Sequence, residues 1–203
     1  MTGKCLIVLF AAAAILLPQD KDKDKARFEA GTVADYQTKQ TVDQVTVAAS
    51  PFLNDEETHR AFGKKLNPNK EGILPVLVVI ENGRGEALFL ENMKIELLTP
   101  DRQRVEATPA SDVRYLRGGG RPKVSQGPIP GQQRVSMKKN PLAAWEIEGR
   151  AFSARMLPPK EAASGFFYFR APYRAGSQLY VTGLREAATG KELFYFEIPL
   201  DQK

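Results

Sequence analysis

Apolar and polar positions follow a short period along most of this chain. Gln44 to Ala48 alternates with β-branched residues, as a half-buried strand does. Leu74-Pro-Val-Leu-Val-Val-Ile80 is apolar without interruption, which predicts a strand covered on both faces at the centre of a sandwich. Asn82-Gly83 beside Arg84-Gly85 is turn chemistry, with residues that tolerate positive φ. Strands follow at 87–90, 93–98 and 104–107, with Thr99-Pro-Asp101 turning the chain between the last two. Later runs at 151–157, 165–169, 179–184 and 192–198 are again β-branched or aromatic, and Ala187 to Gly190 joins the last two as a hairpin loop.

Short helices interrupt this rhythm. Asn54 precedes Asp55-Glu56-Glu57, so a cap and three acids stand at the positive end of a helix that Gly63 stops. Thr108-Pro109 and Asn140-Pro141 each read as a cap followed by proline at the first helical position. They predict helices over 110–115 and, for a turn or two, over 142–147, with Trp145 facing inward. Eight to ten short strands with frequent turns, and no β-α alternation, predict an all-β antiparallel β-sandwich of immunoglobulin-like type, with one or two short helices. A small barrel with a ligand cavity at its mouth is the competing architecture.

The first 27 residues stand apart. Lys4 is followed by 13 uncharged apolar residues, Cys5 to Leu17, and then by Pro18-Gln19. Thirteen is short of the roughly 18 to 20 residues a spanning helix needs, and it fits the apolar region of a signal peptide. Residues 1–19 are therefore expected to be a signal peptide and 20–27 a charged tether, leaving 28–203 as the domain. The expected location is secreted or periplasmic, with no transmembrane span in the mature chain. Asp20, Asp22 and Asp24 have the spacing of an EF-hand loop, but Lys25 and Gly31 occupy the positions that need glycine and glutamate. Cys5 is the only cysteine. Its loss with the signal peptide leaves a domain that a packed core must hold without disulfides.

Residues 113–145 carry Arg114, Arg117, Arg121, Lys123, Arg134, Lys138 and Lys139, and not one acid. Five glycines and four prolines fall within 117–141, where apolar periodicity is lost, so a long flexible Gly/Pro/basic loop is expected there. Seven cations attract phosphate or sulfate groups over about 8 to 10 Å in physiological salt. These seven residues are the candidate polyanion contact. The expected partner is an anionic envelope component or another protein. Tyr115 and Trp145, at the margins, offer few stacking faces, so specific nucleic-acid binding is not expected. The P-loop pattern is absent.

Catalytic chemistry finds little to work with. His59 is the only histidine, it lies on the first helix, and no Cys, second His or Ser partner is close in sequence. A hydrolase triad wants a positioned base and a zinc site three or four ligands. Two carboxylates would suffice for a glycosidase, and 24 acids leave that chemistry open. The expectation is a non-enzymatic module for envelope contact or scaffolding, with no catalytic residue, metal or cofactor. The alternatives are a carrier of a small apolar ligand between the sheets, or a carboxylate-based glycosidase.

Four segments, 74-LPVLVVIEN-82, 96-ELLTPD-101, 157-LPPKEAASGFFYF-169 and 192-ELFYFEIPL-200, resemble a group of uncharacterised secreted bacterial proteins with an immunoglobulin-like β-sandwich. The resemblance implies the fold and an extracytoplasmic setting, and it implies no functional residue.

Protein exported by its native host should lack residues 1–19. Intact-mass spectrometry reads this directly, and a full-length mass would show that the apolar run is retained.

Overall fold

The computed structural model describes residues 28–116, 123–126, 133–136 and 140–201. The proposed signal peptide and tether lie outside them. In chain order the elements are β1 (Lys39–Val42), β2 (Val45–Pro51), α1 (Asp55–Phe62), β3 (Leu74–Asn82), β4 (Leu88–Phe89), β5 (Lys94–Leu98), β6 (Arg104–Glu106) and α2 (Ala110–Leu116). Then come β7 (Lys123–Gln126), β8 (Gln133–Ser136), α3 (Trp145–Gly149), β9 (Met156–Leu157), β10 (Ala162–Phe169), β11 (Gln178–Thr182), β12 (Arg185–Glu186) and β13 (Phe196–Pro199). The strands build a sheet β1-β2-β3-β10, a second sheet β13-β11-β5-β6, a small sheet β12-β4-β9 and a separate hairpin β7-β8. Every ladder is antiparallel, so the chain is all-β with a few short helices.

Strand β3 organises the layers. It pairs with β2 along one side and β10 along the other, and Leu74 to Ile80 is buried throughout. Leu74, Val76, Val78 and Ile80 alternate into one core, where they meet Ile95, Leu97, Leu179, Val181, Phe196 and Ile198 of the second sheet. Leu77 and Val79 point the other way, into a second core with Phe62 of α1, Val113 of α2 and Ile147 of α3. The uninterrupted apolar run is thus the signature of three layers: sheet, sheet and helices. The second core is rich in rings, with Phe52, Phe62 and Phe166 in edge-on or tilted contact at centroid distances of 4.8 to 4.9 Å. Tyr168 lies among them and donates its hydroxyl to the Ile147 carbonyl at 2.8 Å, which ties β10 to α3.

Helix α1 begins as its sequence dictates. The Asn54 side chain accepts from the Glu57 amide at 2.8 Å, and Gly63, at φ 82°, donates to the His59 carbonyl to end the helix. At one end of the first sheet the turns are locked by side chains. Asp43 and Gln44, at φ 48° and 64°, form the two-residue turn between β1 and β2. The turn after β3 uses another device than positive φ, which none of residues 82–85 adopts. Buried Asn82 accepts from the Arg84 amide and donates toward the carbonyls of Glu86, Leu157 and Pro158 at 2.8 to 3.2 Å. Gly83 is needed because its amide bonds the Gln44 carbonyl, and a Cβ there would sit 2.6 Å from that oxygen. Arg84 then reaches Glu186 of β12 at 2.5 Å and the Asp43 carbonyl at 3.2 Å. The Thr189 hydroxyl, and then Arg84 and Lys191, hold the Glu186 carboxyl below its usual range. Its contribution to stability is present above the ordinary carboxylate pKa and is lost as pH falls through the depressed native value.

Three expectations need correction. Residues 117–141 do not form one long structureless loop, because Lys123–Gln126 pairs with Gln133–Ser136 in antiparallel register. Val124 opposite Val135 is the apolar pair that the glycines and prolines around it obscured. The strand expected at 151–157 shrinks to Met156–Leu157, and Ala151 makes only an isolated parallel bridge to Phe166. The strands are also shorter and more numerous than expected, since β4, β9 and β12 contribute two residues each.

Val78 is fully buried between the sheets. Val78→Asp should destabilise the domain by about 4 kcal/mol, since the new carboxylate has no partner there. Chemical denaturation measures this, and a midpoint matching wild type would place Val78 at the surface.

Candidate functional site

The basic segment lies between α2 and α3 in the chain, and local chemistry brings its two ends together. Pro109 opens α2, its carbonyl accepting from Asp112 and Val113, while fully buried Val113 anchors the helix in the second core. Asn140 caps the single 3-10 turn at Pro141–Ala143 by accepting from the Leu142 amide at 3.0 Å. The same side chain donates to the Arg114 carbonyl at 2.6 Å. The Arg114 guanidinium pairs with Glu148 of α3. Positions 114 and 140 are therefore in contact. The ion pair is partly exposed, so it contributes at most about 1 kcal/mol and works as a positional tie.

Of the seven candidate cations, only Arg114 has a described side chain, and its charge is already matched by Glu148. Lys123 stands in β7 opposite Ser136, and Arg134 stands in β8 opposite Ser125. Arg117, Arg121, Lys138 and Lys139 lie outside the described residues.

Two aromatic residues flank the contact of Arg114 with Asn140, and both are exposed. Tyr115 on α2 is 75% exposed and Trp145 at the start of α3 is 64% exposed. Trp145 was expected to face inward. Ile147, two residues on and almost fully buried, takes the core position of this short helix and turns the indole outward. The indole lies against the helix backbone, since a Cβ on Gly149 would be 2.8 Å from the ring. Beside it opens a cleft of about 450 Å³, lined by Phe28, Trp145, Gly149, Arg150, Ser153 and Ser164 among others. The Arg150 guanidinium sits 5.5 Å from the centre of the Phe28 ring, a cation–π contact that forms part of the wall. Neither the cleft nor the outward indole was legible in sequence; the alternation of Trp145 with Ile147, read against the cap at Asn140, was the available signal.

A second cavity, of about 330 Å³, lies at the edge where the two large sheets part. Met93, Ile95, Ala107, Phe152 and Phe167 give it apolar walls. Phe152 and Phe167 stack at 5.4 Å and 25°. Glu96 and Glu106 stand directly opposite in the β5-β6 ladder. Glu96 is held by Arg104 at 2.9 Å, and the Arg104 guanidinium also covers the Tyr180 ring at 4.6 Å. Among the described residues no group of three or more His, Cys, Asp or Glu could hold a metal ion, and no helix is long and apolar enough to cross a membrane.

Trp145 is the only tryptophan, so its exposure can be read in solution. Emission should be red-shifted and strongly quenched by iodide. A blue-shifted, iodide-resistant emission would put the indole in the core.

No family model matches the chain, and no curated protein matches it. Among solved structures it is similar to the X-ray structure of Northeast Structural Genomics Consortium target SoR45. The two are 12% identical, the match covers 77% of this chain and 83% of that chain, and the TM-score is 0.35.

Proposed function

We propose that the protein is an exported, non-enzymatic module of immunoglobulin-like sandwich type, which contacts an anionic envelope component through its basic segment. One observation supports this most. The contact of Asn140 and Glu148 with Arg114 gathers the two ends of a segment that holds cations and no acid. The remaining mature residues are net acidic, so the positive charge is concentrated in one segment of the chain. Such an asymmetry steers anions toward it, with an attraction that salt screens. The helices that make this contact also present Tyr115 and Trp145 at the surface. The setting is that implied by the apolar run Cys5 to Leu17.

The cavity of about 330 Å³ between the sheet edges favours a second reading, a carrier of a small apolar ligand. Its apolar walls and stacked phenylalanines suit such a guest.

Replacing Arg117, Arg121, Lys123, Arg134, Lys138 and Lys139 with Ser separates the two. On the contact reading, the variant loses salt-sensitive retention on heparin and on anionic vesicles while its melting temperature stays within a few degrees of wild type. Unchanged retention would show that the basic surface lies elsewhere. A large fall in melting temperature would show that the cations pair with acids on the body.

A further inference from the structure

The cleft beside Trp145 has a composition that selects its guest. Its volume of about 450 Å³ falls in the range that holds small molecules, about 300 to 1,000 Å³. Leu77 and Phe166 are buried beneath it, and Phe28 and Trp145 offer it the more accessible rings. Both rings are held in place. Phe28 packs on Phe52 and Phe166 at centroid distances of 5.7 and 5.5 Å, and the indole rests against Gly149. Among the described residues that line the cleft, Arg150 is the only charged one. Glu29 and Glu146 each adjoin a lining residue in the chain, and neither lines the cleft itself.

That single cation decides the chemistry. Arg150 is half-buried, with its guanidinium 5.5 Å from the centre of the Phe28 ring. A guest that fills the cleft strips further water from this charge. A neutral guest would leave it uncompensated in apolar surroundings, and a cationic guest would be repelled. A carboxylate compensates it, and its two oxygens match the fork of guanidinium donors. A small inorganic anion would answer the charge and leave the rings unused. We propose that this cleft binds an aromatic monocarboxylate, whose ring packs against Phe28 and Trp145 while its carboxylate meets Arg150. The exposed side chains of Ser153 and Ser164 offer it hydroxyl donors. The proposal is independent of the basic segment, because every residue it uses belongs to the cleft.

The probes are 2-naphthoate, its neutral isostere 2-naphthamide, acetate and inorganic phosphate. Affinity is read by calorimetry, and the place of binding by the indole N–H resonance of Trp145, the only tryptophan. Naphthoate should shift that resonance and bind at least about tenfold more tightly than naphthamide, since hydrogen bonds between ions exceed neutral ones. Acetate and phosphate should bind far more weakly than naphthoate. Ser164→Glu places a negative charge at an exposed position of the cleft and should weaken naphthoate about tenfold or more while sparing naphthamide. Arg150→Gln should abolish the preference for naphthoate over naphthamide, a ratio that a general loss of packing would not change. Absence of naphthoate binding, or equal affinities for naphthoate and naphthamide in the wild-type chain, overturns the proposal. Phosphate or acetate binding as tightly as naphthoate overturns the role of the rings. Naphthoate binding that leaves the indole resonance unmoved and Ser164→Glu unaffected overturns the location. All the candidate cations of the basic segment are intact in both variants, so heparin retention tests the polyanion reading separately.

Discussion

Strand β3 has no face that water can cover. From Leu74 to Ile80 its side chains are alternately directed into two cores, and both must be roofed before the strand is stable. The second sheet roofs one side. The other side falls to α1, α2, α3 and the aromatic residues of β10. Helices of five to eight residues do not persist alone in water. Val113, Leu142 and Ile147 hold theirs against the sheet, and in doing so they decide which neighbours face outward. Arg114, Tyr115 and Trp145 are at the surface because the residues beside them are needed inside. The candidate site is in this sense a by-product of covering β3.

A second constraint acts at the turn end. Asn82 is a buried amide, and a buried amide without partners would destabilise the fold strongly. It is satisfied by two separate stretches of chain, residues 84–86 and 157–158, while Arg84 and Glu186 join the β1-β2 turn to the small sheet. These bonds do in this corner what apolar packing does elsewhere, and they give the two-residue strands β4, β9 and β12 their positions.

Much of this was readable in the residues. The apolar run at 74–80, the cap at Asn54 and the proline-led helix at 110 each carry a local rule that tertiary structure did not override. Strand β1 was not readable, because Lys39 to Val42 is an edge strand of polar character that only its pairing with β2 defines. The β7-β8 hairpin escaped for a similar reason: one valine pair amid glycine, proline and cations leaves no period to detect. Trp145 was misjudged from a preference of its residue type. A short helix has room for few inward residues, and Ile147 and Leu142 had already filled them. Residues 151–157 read as a strand by composition, yet Ala151 makes only one parallel bridge, along the outer edge of β10, and the strand itself is confined to Met156–Leu157.

That bridge covers an edge that would otherwise stand open. An outermost strand with free amides and carbonyls is a template on which another chain can polymerise. Strand β10 is outermost in the first sheet, and it is the most aromatic strand of the protein. Its Phe166 amide donates to the Arg150 carbonyl, its Phe166 carbonyl accepts from Phe152, and its Tyr168 carbonyl accepts from Thr108. The approach is close enough that Gly165 must have no side chain: a Cβ there would fall 2.3 Å from the Phe152 backbone. The absent methyl group at Gly165 thus lets neighbouring chain close over the edge of a sticky strand.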